Sequence, residues 1–374
     1  MATADTVTLL LTGDVMTGRG IDQVMPDPVS PELYEGWVRD ARDYVRLAEQ
    51  VNGPIAAPVP LDYVWGDALA EMDRLAPGAR IVNLETAITR SGTPWPGKGI
   101  HYRMSPAHVG LLGAARIDAC SLANNHVLDW GAARLAETLA TLRAAGVATA
   151  GAGATLDEAW APAVLPLSSD SRALVYAAAG ADCGVPTEWA PDTRHGGVAL
   201  LPRLNEPAVH AWAARVQSQR RAGDVVIASL HWGANWVDAV PQAHRRFAHR
   251  LIELGAADVV HGHSSHHPLP MEVHRGKLVL YGCGDLINDY EGIRPQKRHR
   301  SDLGCLYGLT LERSGGQLRA LELVPLQARR LRLGPPDATL REALRGELNE
   351  GCSALGTRID VEAGGRWLLR WDER

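Results

Sequence analysis

The stretch HGHSSHHP, His261 to Pro268, holds four of the chain's 14 histidines. Imidazoles at that density suit either a bound metal or an exposed polar loop. The upstream segments bear on the choice. Five apolar runs each end in a residue type that ligates metals: TVTLLLTG in Asp14, RIVNL in Glu85, ACSLAN in Asn125 and His126, VVIASL in His231, and DVV in His261 and His263. In open α/β sheets, sites form beyond the carboxyl ends of the strands, so five such ends can converge on one point. Each residue alone has an ordinary reading. Asp14 suits a turn or helix cap, Glu85 a buried hydrogen-bonded carboxylate, Asn124-Asn125 a turn, and His231 a satisfied core histidine. His266 and His267 read as loop residues. Taken together, the set points to one divalent-metal centre. Oxygen and imidazole donors without thiolate suit Zn, Mn, Fe or Co, and do not exclude Ca or Mg. His261 and His263 are expected on a loop whose turning backbone aims both rings one way.

The elements that must position these residues alternate along the chain. Strand-like runs at 6–13, 80–85, 118–124, 173–179, 224–233 and 258–263 are separated by helical patterns. SPAHVGLLGAA opens with a Ser cap and Pro at the next position, and GAARLAETLATLRAAG is amphipathic and closed by Gly. The alternation predicts an α/β fold with helices on the faces of a layered sheet. From about residue 331 the texture changes to a helix and two short strands, predicting a small α+β appendage over 331–374 after a main domain over 1–330. The long loops 22–40, 91–104 and 287–303 are expected to wall the site.

Composition narrows the function classes. A hydrophobic content of 46% suits a sizeable soluble core, and a net charge of −5 gives no nucleic-acid signal. The basic run RPQKRHR at 294–300 is read as a solvated loop, or as a surface facing an acidic ligand. Five widely spaced cysteines without CxxC argue against a disulfide framework and a thiolate zinc site. No apolar stretch is long enough for a signal peptide or a membrane span, so no membrane contact and a cytoplasmic location are expected.

At this point GDVM (13–16), NLET (83–86), NNH with Asp129, HWG (231–233), GHSSHHP (262–268) and YGCGDLIND (281–289) resemble the CapA-type proteins. These are named for poly-γ-glutamate capsule synthesis and are related to the calcineurin-like metallophosphoesterases. The resemblance runs in order from about residue 6 to 330. It implies a four-layer α/β/β/α sandwich with a metal centre at the strand ends. Asp14, Asn125, His231, His261 and His263 match ligand positions, Glu85 takes the place of the bridging carboxylate, and His126 matches the histidine beside the reacting group. The pattern departs at Met16, where the superfamily has histidine, and at Asn83-Leu84-Glu85. A thioether is a poor partner for a hard ion, so one metal position is expected to be ligand-poor. Because the first strand begins almost at residue 1, the N-terminal anchor usual in capsule-linked members is expected to be missing, and on that expectation the chain resembles the soluble CapA-like epimerases of lasso-peptide pathways.

Two chemistries are open to such a centre. An ion can lower the pKa of bound water from about 15.7 toward about 7 for hydrolysis, or act as a Lewis acid that stabilises an enolate. The ligand-poor position favours the second, which predicts a metal-dependent peptide epimerase acting on a precursor peptide. A metallohydrolase of phosphoester, γ-glutamyl or peptide bonds, and an accessory protein of polymer synthesis, are the alternatives. His126 backed by Asp129 is one candidate acid–base group, and His299 on the basic loop the other. Lys98 and Arg103 in GKGIHYR would hold a substrate carboxylate, and Trp232, with Trp95, Trp130 and Trp236, would line a peptide wall.

Overall fold

Alternation along the strands decides which side chains meet. The computed structural model describes residues 6–293 and 299–372; most of the basic run, 294–298, lies outside them. Among the described residues, a ten-stranded sheet is built on Thr6–Val15, flanked in parallel by Ala79–Leu84, Ala119–Ser121 and Ala148–Ala150. On its other side run the antiparallel strands Leu303–Glu312 and Leu318–Arg329. A seven-stranded sheet centres on Arg172–Gly180, Val225–His231 and Val259–His263, which are mutually parallel.

In the second sheet, successive residues face opposite ways, as the two-residue repeat of a strand requires. Val225, Ile227 and Val259 pack in one core with Leu9, Leu11 and Ile81 of the first sheet. Val226, Ala228 and Val260 join Val209, Trp212 and Val216 of helix Glu206–Gln219, and Phe247 and Leu251 of helix Gln242–Glu253. Met72 of helix Ala68–Leu75 and Leu135 and Leu142 of helix Ala132–Ala144 pack with the core of the first sheet. Helix, sheet, sheet, helix is the expected four-layer arrangement.

The C-terminal segment supplies helix Ala338–Ala354 and the strands Thr357–Val361 and Trp367–Trp371, which extend the first sheet at the edge of Leu318–Arg329. Its Leu348, Ile359 and Trp367 share the main core, and Thr357 Oγ1 donates to the Met271 carbonyl at 2.6 Å. No helix among the described residues is long and apolar enough to cross a membrane.

Candidate metal centre

Residues on the inner face of the second sheet meet the ends of the first. Ser229 pairs in register with His261, and His231 with His263, so all four lie on the face that carries Ile227 and Val259. His261 and His263 are thus aligned by a strand, Val259–His263, rather than by the expected loop. Asp14 is brought opposite by Thr6–Val15, and its neighbour in register is Asp285 of the short parallel strand Asp285–Ile287.

Asp14 belongs to two donor groups. With His231 and His263 it forms one set whose ligand atoms all lie within 4.8 Å of one another; with His266 and Asp285 it forms a second. The ring nitrogens Nδ1 of His231 and His263 face each other at 2.8 Å. His266 Nδ1 lies 2.8 Å from Asp285 Oδ1, whose other oxygen accepts from Asn288 at 2.9 Å. A turn with two non-glycine residues in the left-handed region, Ser264 at φ 91 and His266 at φ 58, carries His266 back to Asp14. Such backbone costs on the order of 1–3 kcal/mol per residue and concentrates at functional sites.

The remaining expected residues fall around this pair of groups. Glu85 Oε1 lies 3.9 Å from Nε2 of both His126 and His231. Asn125 Oδ1 lies 3.2 Å from His231 Nε2, and Asn83 Nδ2 donates to Asp14 Oδ1 at 2.8 Å. His261 differs from its expected part as a ligand. Its Nε2 is 2.6 Å from the Thr12 carbonyl and its Nδ1 3.1 Å from Ser229 Oγ, so both nitrogens are spent on the chain. His266 and Asp285, which the sequence reading left outside the ligand set, stand with Asp14 instead. The signal that could have found His266 is HSSH, a second histidine three residues beyond a strand end.

Electrostatics supply the test of whether a cation fits. Burial, with Asp285 beside it, pushes the Asp14 carboxyl up to about 7. Burial and the neighbouring Asp14 and Asp285 raise Glu85 well above the carboxylate range. Burial also holds His231 and His263 far below the usual imidazole range. Glu85 Oε1 is sealed from solvent without a hydrogen-bond partner. Crowded buried carboxylates, imidazole nitrogens facing one another and an orphaned carboxylate oxygen all lack the same thing, which is positive charge. One or two divalent ions fit these residues.

Beside the centre, His126 Nδ1 is 2.6 Å from Asp129 Oδ2. Burial lowers His126 to about 4, so the ring is neutral, with Nδ1–H on Asp129 and the Nε2 lone pair toward Glu85. Lys98 is tied to Asp129 Oδ1 at 2.5 Å and to the Asn125 carbonyl, and lies over the Trp189 ring. It braces the loop that carries Asn125, His126 and Asp129 rather than presenting a free ammonium. Trp232, expected on a substrate wall, is buried in the outer core, stacked on His244 with Nε1 donating to the Tyr281 carbonyl. His299, expected as the second acid–base group, stacks on His267 at 3.6 Å with its ring nitrogens bonded to Glu347 and Asp238 instead. Arg103 lies over the Trp130 ring at 3.9 Å.

The family described as bacterial capsule synthesis protein PGA_cap matches residues 8–290, a span that carries every residue of both donor groups. The chain belongs to this family. A probable polyglutamine synthesis accessory protein of Mycobacterium tuberculosis is 44% identical over 357 residues, 95% of this chain and 93% of that protein. The PGA biosynthesis protein CapA of Bacillus subtilis is 21% identical over 76% of this chain and 64% of its own length. A solved structure titled as a novel phosphatase from Mycoplasma pneumoniae aligns with TM-score 0.49 at 11% identity, over 89% of this chain and 96% of that one. Within the PGA_cap family, then, the chain presents an Asp14-centred set of buried oxygen and imidazole donors.

Proposed function

We propose that this member of the capsule-synthesis family is a divalent-metal-dependent hydrolase acting on a bond of a glutamate polymer or its precursor. The observation that carries the reading is Asp14 standing in two donor groups at once, with His231 and His263 on one side and His266 and Asp285 on the other. Met16 had suggested a ligand-poor position and hence epimerisation. His266 and Asp285, gathered with Asp14, add donors that a ligand-poor position would lack, which supports hydrolysis over epimerisation. The relatives' names, which refer to polyglutamine synthesis and PGA biosynthesis, support a glutamate chain as the substrate.

Ions held there would supply Lewis acidity toward water and toward a carbonyl or phosphoryl oxygen. The chain's own part is proton handling and orientation. His126 Nε2, an acceptor because Nδ1–H is committed to Asp129, can take a proton from the attacking water and return it to the leaving group. Asp129 keeps its negative charge: burial opposes it, but His126 and Lys98 hold its pKa below the usual value. It therefore fixes the tautomer of His126 and stabilises the imidazolium that forms. Asn125 is half-buried and His126 is 7% exposed, against 1% or less for Asp14, His231 and His263, so substrate approaches from the Asn125–His126 side.

The reading is tested by incubating protein loaded with Mn or Zn with a γ-linked glutamate oligomer and, separately, an aryl phosphate, in heavy water. Shortened oligomers or released phosphate, lost on chelation, are expected. Deuterium incorporated at an α-carbon without cleavage would restore the epimerase. Tight binding of the oligomer with neither reaction would favour a non-catalytic accessory role.

A further inference from the structure

Arg103 is placed unlike the other buried arginine beside the centre. Arg19 is bonded by Asp289 and Glu35 and raised well above its usual pKa. Arg103 is 9% exposed, has no carboxylate among the described residues within 4.0 Å, and makes one long hydrogen bond, 3.4 Å to the Ser30 carbonyl. Burial lowers its pKa, and the charges of Tyr34, Asp22 and Glu32, none of them ion-paired with it, only partly offset that. A buried guanidinium has five donors and tolerates desolvation only when an anion meets it.

The surroundings are built rather than accidental. Trp130 supplies a shelf for the guanidinium, and Tyr34 and His101 stand edge-on to Trp130 at 6.0 Å each. His101 Nε2 is 2.9 Å from the Trp95 carbonyl, while its Nδ1 is sealed from solvent with no partner. Arg103, His101, Trp130, Ser30 and Glu32 line a crevice of ≈ 10 Å³, room for one water-sized group such as a carboxylate oxygen. Glu32, on the rim, is exposed. The crevice is also fastened to the catalytic pair. The Tyr102 backbone N–H donates to Asp129 Oδ2 at 2.7 Å, Trp130 Nε1 donates to the Tyr102 carbonyl at 3.1 Å, and the Tyr102 ring meets His126 edge-on at 4.7 Å.

We propose that Arg103, shelved on Trp130 and flanked by Tyr34 and His101, is a subsite that takes a pendant carboxylate of the substrate next to the bond at His126. The inference rests on the hydrolase reading for the word substrate, and on this pocket alone for the charge preference. A planar guanidinium fork matches a carboxylate, and a carboxylate one residue along a peptide chain can reach a neighbouring pocket while the backbone lies at the centre.

The test uses metal-loaded protein and two probes, a γ-linked glutamate pentamer and the same pentamer with its pendant α-carboxylates converted to carboxamides. Calorimetric titration should find the acidic pentamer bound at least about tenfold tighter. Arg103→Met should abolish that preference with metal content unchanged, and Arg103→Lys should recover part of it, because the charge returns without the fork. For any cleavage of the acidic pentamer, Arg103→Met should raise KM about tenfold. Equal affinity of the unmodified protein for the two pentamers would overturn the proposal without any variant. So would an equal loss for both pentamers in Arg103→Met. Preference without cleavage would leave the subsite standing and remove the hydrolase. Cleavage with unchanged KM in Arg103→Met would do the reverse.

Discussion

His126 depends on Asp129 for both tautomer and direction, and Asp129 in turn is held by Lys98 and the Tyr102 backbone N–H. Asp129→Asn keeps the shape but offers an amide where the Nδ1 proton needs a carboxylate. The ring can then rotate or change tautomer, and Nε2 ceases to be a dependable acceptor. We expect kcat to fall about 10²-fold or more, within the range general acid–base groups contribute, with two ions still bound per chain. Steady-state rates and metal content on the same preparation check this. A fall in metal content that accounts for the lost rate would place Asp129 among the residues that hold the ions.

The strand Val259–His263 and the turn after it do most of the positioning. Gly262 lies between the two histidines, and a Cβ there would stand 2.3 Å from the Tyr281 carbonyl oxygen and 2.6 Å from that of Leu280. Both contacts are with backbone, so neither can swing aside. Gly262→Ala should cost about 1–3 kcal/mol, the range for overpacking, and pull the strand away from its neighbour. Thermal melting of the metal-free protein reads this; an unchanged midpoint would mean the strands separate freely. A second contact secures the same sheet from outside. Glu272 accepts from Arg245 at 3.1 and 2.8 Å, from Tyr281 at 2.7 Å, and lies 3.0 Å from His249 Nε2, clamping helix Gln242–Glu253 to strand Met271–His274. Burial alone would raise its pKa, but the His249, Arg245 and Tyr281 hydrogen bonds hold it down to about 2. A carboxyl lower in the folded chain than in the unfolded one stabilises the fold above the unfolded value and ceases to do so as pH falls through the folded value. The stability gap between the protein and Glu272→Gln should therefore be full above pH 4.5 and close toward about 2. A gap that stays constant over that window in urea titrations would contradict the assignment.

At the scale of the whole molecule, the layered α/β fold was legible because strand alternation and helix periodicity are local properties of the chain. The strand ends at Asp14, Glu85, His231 and His263 were legible for the same reason, whereas Asn125 lies in a bend four residues beyond its strand. What could not be read were the arrangements that depend on distant register. Asp285 becomes a neighbour of Asp14 only through a parallel pairing across the sheet. His266 arrives only through a turn whose left-handed residues, Ser264 and His266, carry no glycine to announce it. The contacts of His261 are not legible in sequence, because a loop gives no rule for telling inward from outward, whereas the strand gives both histidines one face and lets Thr12 and Ser229 meet the first. The central claim is that Asp14 joins two donor groups, and counting metal ions tests it most directly. Elemental analysis after reconstitution and exhaustive desalting should find two divalent ions per chain in the unmodified protein and in His261→Ala, and one in His266→Ala. A single ion in the unmodified protein, or a loss in His261→Ala equal to that in His266→Ala, would contradict it.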